Sequence, residues 1–179
     1  EKNNQELIEI LRKRGVYVLE VKSGRLTPEF ISECSNKAKF IVANFIMLSE
    51  ESKTMLENDR EYIIYEHDHK YVKSRNPANY DNFIAPKSEI INFSFYKNAK
   101  AVLCQSKFHA DIVESNLKLD NIVSLGGNLW SEDSLEIMLS MSKVDKKPTC
   151  AIMSSTKDSR DVIPHNSRSA NDGIVSCYK

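Results

Sequence analysis

Short apolar runs alternate with segments of helical periodicity along most of this chain. The runs are rich in Val, Ile, Tyr and Phe, and each stops at a polar turn, which is typical of strands in a covered sheet. Strands are predicted at 16–21, 40–46, 62–66, 101–104, 122–125 and 149–153. Strands that alternate with helices predict an α/β fold, with a mainly parallel, Rossmann-like sheet and helices on both faces.

Helix-start signals precede several of the intervening segments. Thr27 followed by Pro28 is a favourable N-cap and first helical residue, and Ser49, Ser106 and Ser131 each stand where a capping hydroxyl is expected. Helices are predicted at 3–14, from 28, at 49–56, at 88–98, at 107–117 and from 132. The segment 76–87 contains two prolines and no periodicity, which predicts a surface loop.

The length of 179 residues fits one domain, which we predict over 1–153. Residues 154–179 are expected to form a polar, Ser-rich tail, in which 173–178 would be one more short strand that completes the sheet. The chain begins with Glu1 rather than Met, which favours a processed or trimmed piece of a longer protein.

Composition narrows the classes of partner. The chain has 25 basic and 25 acidic residues and therefore no net charge, which argues against broad electrostatic attraction to nucleic acid or membranes. No apolar stretch approaches the roughly 18 residues that a membrane helix needs, so no membrane span is expected. The four cysteines lie too far apart for a C-x-x-C pair, and this favours a reduced, cytoplasmic setting over a disulfide scaffold.

The densest titratable cluster stands at the end of the third predicted strand: Glu66, His67, Asp68 and His69. On an extended backbone His67 and His69 would share one face, with Glu66 and Asp68 on the other. An imidazole or carboxylate at a strand end can act as a general base or hold a sugar hydroxyl. The other interpretations are an ordinary polar turn and a metal site. The metal site is disfavoured because tight sites need a third or fourth ligand from elsewhere, and we expect no metal.

Two further turns follow apolar runs, at 105–107 and 126–128. Parallel strands end at a common edge, so these turns and the Glu66–His69 cluster are predicted to open on one side of the sheet. Ser106 and Lys107 at a helix N-terminus could bind an anion, although capping alone explains Ser106. Gly126, Gly127 and Asn128 fit either a tight turn with positive φ or a close approach of the backbone to a ligand.

The residues after the cluster leave two interpretations open. Tyr71 and Arg75 lie in a stretch with further basic residues, which could meet phosphates or form a solvated edge. The chain contains neither G-x-G-x-x-G nor G-x-x-x-x-G-K-[ST], so a Rossmann dehydrogenase and a P-loop enzyme are both disfavoured.

A family resemblance rests on two pieces of this sequence. Tyr65 to Asp68 lies at a strand end, and Asn98 to Phe108 runs from a strand that ends near a serine directly into a helix. With these pieces, the segment from about Tyr62 to Met141 resembles the amino-terminal half of a GT-B glycosyltransferase of the broad family-1/family-4 type. The carboxy-terminal Rossmann domain of that family, with its acidic sugar-nucleotide motif, has no room in this chain.

The resemblance implies the acceptor side of a sugar-transfer site, in a fragment or reduced form that lacks the donor-binding domain. An NDP-sugar donor is implied, with no cofactor in this chain. His67 and Asp68 are expected nearest the reacting sugar. The residues expected to line the acceptor side are Glu66, His69, Tyr71, Arg75, Ser106, Lys107, Gly126, Gly127 and Asn128.

The expected partners are a small-molecule or glycan acceptor and either a second Rossmann domain or further copies of the chain. A modified nucleic acid stays open as the acceptor. The alternative hypothesis, from another functional class, is a non-catalytic Rossmann-like module that binds or assembles with a partner protein.

Overall fold

A computed structural model describes residues 2–145. Residues 1–131 and 132–179 are separate compact units; the first carries the sheet, and the described part of the second contains one helix. The strands predicted at 149–153 and 173–178, the tail and the domain boundary at residue 153 lie outside the described residues. No helix within residues 2–145 is long and apolar enough to span a membrane.

The predicted fold class is confirmed, because the first unit contains a four-stranded, all-parallel sheet flanked by helices. The strands lie in the order in which they occur along the chain: β1 (Lys39–Val42), β2 (Glu61–Glu66), β3 (Val102–Cys104) and β4 (Ile122–Ser124). Each connection between neighbours is a crossover that contains a helix. Parallel pairing places all four carboxyl ends on one side, which we call the carboxyl edge.

Five of the six helices in the described part of the chain begin within one residue of their predicted start, and the exception is the helix predicted at 88–98. The six are α1 (Lys2–Lys13), α2 (Pro28–Glu33), α3 (Glu50–Asp59), α4 (Phe93–Asn98), α5 (Lys107–Leu117) and, in the second unit, α6 (Glu132–Ser142). The hydroxyls of Thr27, Ser49 and Ser106 each accept a hydrogen bond from a backbone N–H in the following turn. These three N-caps are confirmed, since each satisfies a donor that would otherwise lack a partner.

The core lies against one face of the sheet. Side chains alternate between faces along a strand, and those of Tyr62, Ile64 and Glu66 in β2 and Val102 and Cys104 in β3 are fully or almost fully buried on this face. Aromatic rings of α4 and of the loop after β1 fill the space beneath them. Phe45 packs edge-to-face against both Phe95 and Tyr96, with ring centroids 5.0 and 5.9 Å apart. We call this the core face.

The prediction of a strand at 16–21 is wrong. Residues 16–22 form no ladder with any described strand, and Val16, Tyr17, Leu19 and Val21 are exposed. An alternating apolar pattern becomes a strand only where a neighbouring strand accepts its backbone hydrogen bonds, and no described strand flanks this segment.

Two other predicted elements are shorter than expected. The strand predicted at 40–46 ends at Val42, and Phe45 instead turns into the core. The helix predicted at 88–98 is divided into a 3₁₀ turn, Lys87–Glu89, and α4. The backbone between them pairs with the segment after β2, since Ile91 N donates to Tyr71 O and Val72 forms a bridge with Ile90. Those hydrogen bonds replace the helical ones.

Candidate functional site

The three polar turns that follow β2, β3 and β4 lie along the carboxyl edge, which confirms the predicted common side. Gln105 Nε2 lies 3.0 Å from His67 Nδ1 and joins the first two turns. The first turn of α1 reaches the same edge, because Asn4 Oδ1 lies 3.0 Å from His67 Nε2 and Asn3 Nδ2 donates to Asn128 Oδ1 at 3.1 Å. Helix α1 therefore connects the first turn to the third.

His67 is held in one tautomer by these contacts. The amide of Gln105 donates to Nδ1, so the ring carries its proton on Nε2, and that N–H donates to Asn4 Oδ1. The ring packs against Tyr65, with centroids 4.5 Å apart. Burial, with help from the ammonium of Lys70, lowers the pKa of His67, so the imidazole is neutral at pH 7.

Glu66 lies on the core face and not at a solvent-facing acceptor site, which corrects its predicted role. Its side chain is fully buried, where it accepts hydrogen bonds from the hydroxyl of Tyr96 and from the backbone N–H of Asp68. The ammonium of Lys70, also buried, lies 3.8 Å from its carboxylate. Glu66 therefore fixes the turn that follows β2, since a buried carboxylate persists only with such partners.

Asp68 is the outward carboxylate of the cluster. Its side chain is half exposed, and Oδ2 lies 3.4 Å from the ammonium of Lys70. Lys70 thus sits between a buried and an accessible carboxylate. Asp68 keeps accessible oxygen lone pairs at the carboxyl edge, next to His67, where a hydroxyl of a ligand could donate to them.

The prediction that His67 and His69 share a face is wrong, because β2 ends at Glu66 and His69 takes a left-handed conformation with φ 52°. His69 Nδ1 lies 3.0 Å from the hydroxyl of Tyr71, and its ring lies 4.4 Å from that of His109. Burial and the neighbouring His109 lower the pKa of His69 to about 4. His69 and His109 form a neutral imidazole pair on the core side of the turn.

Tyr71 is a core residue and does not line an acceptor site. It is fully buried, its ring packs edge-to-face against Tyr96, and burial raises the pKa of its hydroxyl. Arg75 is exposed and has a φ of 54°, and the described contacts do not bring it to His67. The sequence left two interpretations open for this stretch, phosphate contacts and a solvated edge. Neither applies to Tyr71, because its side chain is buried.

In the turn after β3, Ser106 and Lys107 make their described contacts with other residues of α5. Ser106 Oγ accepts from the backbone N–H of His109, as expected of a cap. Lys107 points into solvent and pairs with Asp111 one turn along α5 at 2.7 Å, which raises the pKa of its ammonium. Gln105, rather than either of these, provides the contact to the cluster.

The turn after β4 has the glycine geometry that the sequence predicts. Gly126 has φ 77° and its N–H donates to Ser124 Oγ, while Gly127 has open space around its Cα. Asn128 is exposed and takes part in the contact with α1. An exposed backbone with no side chain in the way lets a ligand approach this turn closely.

Sequence reasoning missed three contributors. Asn4 in α1 positions His67, and no local pattern signals a contact so distant along the chain. The Tyr65 hydroxyl and His109 Nε2 are buried polar atoms without a hydrogen-bond partner among the described residues. Tyr65 could have been recognised, because it precedes His67 by two residues, which is the spacing that places side chains on one face of an extended backbone. The two rings do pack together. Unsatisfied buried groups beside a site are candidates for ligand contacts.

A shallow depression of about 440 Å³ lies elsewhere in the first unit, around the end of α5, and is lined by Glu114, Ser115, Lys118, Leu119 and Asp120. It precedes β4 and so lies at the edge opposite the cluster. Comparisons with protein-family models, with curated proteins and with solved structures find no match for this chain.

Proposed function

We propose that the carboxyl edge is the acceptor side of a glycosyl-transfer site, in a GT-B-like domain that acts together with a donor-binding domain. One observation carries the proposal: His67 is a neutral imidazole fixed at the end of a central strand, beside the accessible carboxylate of Asp68. A base at such a strand end is what removal of a proton from a sugar hydroxyl requires.

In the proposed reaction His67 Nδ1 is the base. The hydroxyl of the acceptor takes the place of the Gln105 amide at Nδ1, since Nε2 already carries the ring proton. The acceptor O–H bond breaks, the proton moves to Nδ1, the oxygen bonds to the anomeric carbon of the donor, and the bond to the nucleoside diphosphate breaks. The carboxylates of Glu66 and Asp68 stabilise the imidazolium that forms, because both favour the charged ring.

The roles of the other polar groups follow from their exposure. Asp68 accepts from a second hydroxyl of the acceptor, and the Gly126–Asn128 turn provides backbone groups close to the sugar. Glu66, Lys70 and Tyr96 hold the turn in place and do not touch the substrate. The NDP-sugar is the co-substrate, for which a second Rossmann domain provides most contacts.

Titration of the ¹⁵N-labelled chain with mono- and disaccharides tests the proposal. We expect amide shifts at 67–69 and 105–107, and we expect His67→Ala and Asp68→Asn to weaken binding about tenfold or more. Asp120→Asn, an exposed aspartate at the opposite edge, is the matched control and should bind as the parent does. In calorimetry the isolated chain should not bind NDP-sugars at micromolar concentration.

Two outcomes would contradict the proposal. The first is that no sugar shifts the amides of the first two turns. The second is micromolar affinity of the chain alone for an NDP-sugar, because the donor contacts would then lie in this unit. Activity itself is checked by adding a donor-binding domain as a fusion, in which His67→Ala should abolish transfer.

The second candidate function is a non-catalytic module that assembles with another protein, and exposed apolar side chains favour it. Tyr17 and Leu19 are exposed in the segment that forms no ladder, and Ile41 and Val123 are exposed on the sheet face opposite the core. Replacing Tyr17 and Leu19 with Ser should reduce self-association or partner binding, measured by light scattering, if this function holds. Unchanged association would count against it.

A further inference from the structure

Two phenylalanine rings lie exposed beside the first turn of α5. The side chain of Phe108 is 63% exposed and that of Phe83 38%, and the rings meet edge-to-face, with centroids 5.6 Å apart and planes at 87°. Phe108 follows Gln105 by three residues, and Gln105 contacts His67. Phe108 therefore lies near the carboxyl edge, and Phe83 packs against it from a loop whose backbone meets Asn116 near the other end of α5.

Phe83 has a backbone conformation that bulky L-residues avoid. Its φ is 61°, and Asn82 before it has a φ of 53°. Asparagine tolerates this region, whereas a phenylalanine there is a strained exception. Strained residues persist only where their surroundings hold them, and they concentrate at functional sites.

Helix α5 holds this strained loop in place. Asn116 Nδ2 donates to Phe83 O at 2.8 Å, and Asn116 Oδ1 accepts from Ala85 N at 2.8 Å. The same Nδ2 also donates to Ile112 O at 2.8 Å within the helix. The amide side chain is thus fully used, and the ring of Phe83 is presented on a fixed backbone toward Phe108.

We infer that the Phe83–Phe108 pair is a stacking platform for a sugar ring of the acceptor. A pyranose ring has one face of C–H bonds, and these polarised hydrogens are attracted to the negative face of an aromatic ring. The Lys107–Asp111 ion pair on the same turn of α5 supplies donors and acceptors for the hydroxyls at the rim. The inference rests on the proposed function, since the platform would hold a further unit of the same acceptor.

A sugar fits this patch better than a protein does. Each aromatic side chain offers roughly 150–250 Å² in total, and only part of each ring is exposed. A stable protein interface needs about 800 Å² on each partner. Two partly exposed rings with a charged rim match the contact area of one or two sugar units instead.

The test uses saturation-transfer difference NMR on the full chain with methyl β-glucopyranoside, cellobiose and methyl α-mannopyranoside as probes. Saturation of the aromatic protons should reach the C–H protons of a bound sugar. Phe108→Ala and Phe108→Leu should each weaken binding about fivefold to tenfold, because leucine keeps apolar contact but has no ring. Phe108→Tyr should retain binding.

Phe93→Ala is the matched control, since Phe93 is an exposed phenylalanine at the first position of α4. It should leave sugar binding unchanged. Phe83→Leu tests the second ring, and its circular dichroism spectrum should match that of the parent chain.

The outcomes separate this inference from the proposed function. Loss of binding in the Phe108 variants with an unchanged Phe93 variant supports the platform. If His67→Ala and Asp68→Asn weaken sugar binding while Phe108→Ala and Phe108→Leu do not, the platform is overturned and the proposed function stands. If the Phe108 variants lose binding and the His67 and Asp68 variants do not, the platform stands without the proposed function. Absence of binding by every probe overturns the platform.

Discussion

The two faces of the sheet differ in how far they are covered. On the core face, Ile64, Val102 and Cys104 are fully buried. On the opposite face Tyr65 in the central strand β2 is fully buried, but Ile41 in the edge strand β1 is 42% exposed and Val123 in the edge strand β4 is 43% exposed. The same types of residue in neighbouring strands therefore contribute unequally, because stabilisation follows the apolar area that is removed from water.

The titratable groups at the end of β2 are also divided between these two sides of the sheet. Glu66 and His69 point to the core side, where they meet Tyr96, Tyr71 and His109. His67 lies on the other side, with Asn4 and Gln105. One short turn thus contains both a structural brace and a candidate reactive group, and burial rather than residue type assigns the two roles.

The largest expected effect is that of Glu66→Ala. It leaves the Tyr96 hydroxyl without its acceptor and the buried ammonium of Lys70 with only the half-exposed carboxylate of Asp68, and removal of one partner of a buried ion pair costs about 3–5 kcal/mol. Urea denaturation followed by circular dichroism measures the loss. Glu61→Ala, at the exposed start of the same strand, is the control and should cost far less. Equal losses would show that Glu66 is no brace.

The next effect compares one isoleucine from each face. Ile64→Ala should reduce the free energy of unfolding by about 2–4 kcal/mol, because it removes buried methyl groups and leaves a cavity. Ile41→Ala should cost less than about 1 kcal/mol, since much of that side chain is already in water. Similar losses would mean that the opposite face is covered in solution.

A third expectation concerns pH. The folded-state pKa of His69 is about 4, below the ordinary 6.5, so the unfolded chain takes up its proton first as the pH falls. The contribution of His69 to stability is fully present above pH 6.5 and is lost between about pH 6.5 and 4. The slope is at most about 1.4 kcal/mol per pH unit for each such histidine.

His67 and His109 add to that slope with the same sign, since burial lowers the pKa of both. His69→Asn should flatten the slope measured between pH 5.5 and 6.5, where carboxyl groups of ordinary pKa stay largely ionised in both the folded and the unfolded chain. An unchanged slope in this variant would show that His69 titrates normally. Glu66, Asp68 and Lys70 also act on its charge, so the measurement belongs in the chain with all three intact.

The smallest expected effect on stability is that of the outward groups. Asp68→Ala and His67→Ala should each cost about 1 kcal/mol or less, because Asp68 is half exposed and His67 loses two hydrogen bonds that water can partly replace. Thermal unfolding measures this, beside the sugar titration. If His67→Ala instead lowered the free energy of unfolding by several kcal/mol, the main role of His67 would be to stabilise the fold, as Glu66 does.

Local signals predicted much of the secondary structure. Helix α5 begins and ends at the predicted residues, 107 and 117, and the caps at Thr27, Ser49 and Ser106 hold, because capping depends on residues within one turn. Strand β2 is found within one residue of its prediction. The common carboxyl edge followed from the alternation of strands and helices alone.

The sequence by itself determined the α/β class, most of the helix starts and the set of turns that meet at the carboxyl edge, since these depend on periodicity and on neighbours along the chain. Only the tertiary structure decided which of four consecutive polar residues faces the core, because Tyr96 and Lys70 bury Glu66, and Asn4 and Gln105 position His67. It also left Val16–Val21 without a ladder, because a strand needs a partner that its own sequence cannot provide.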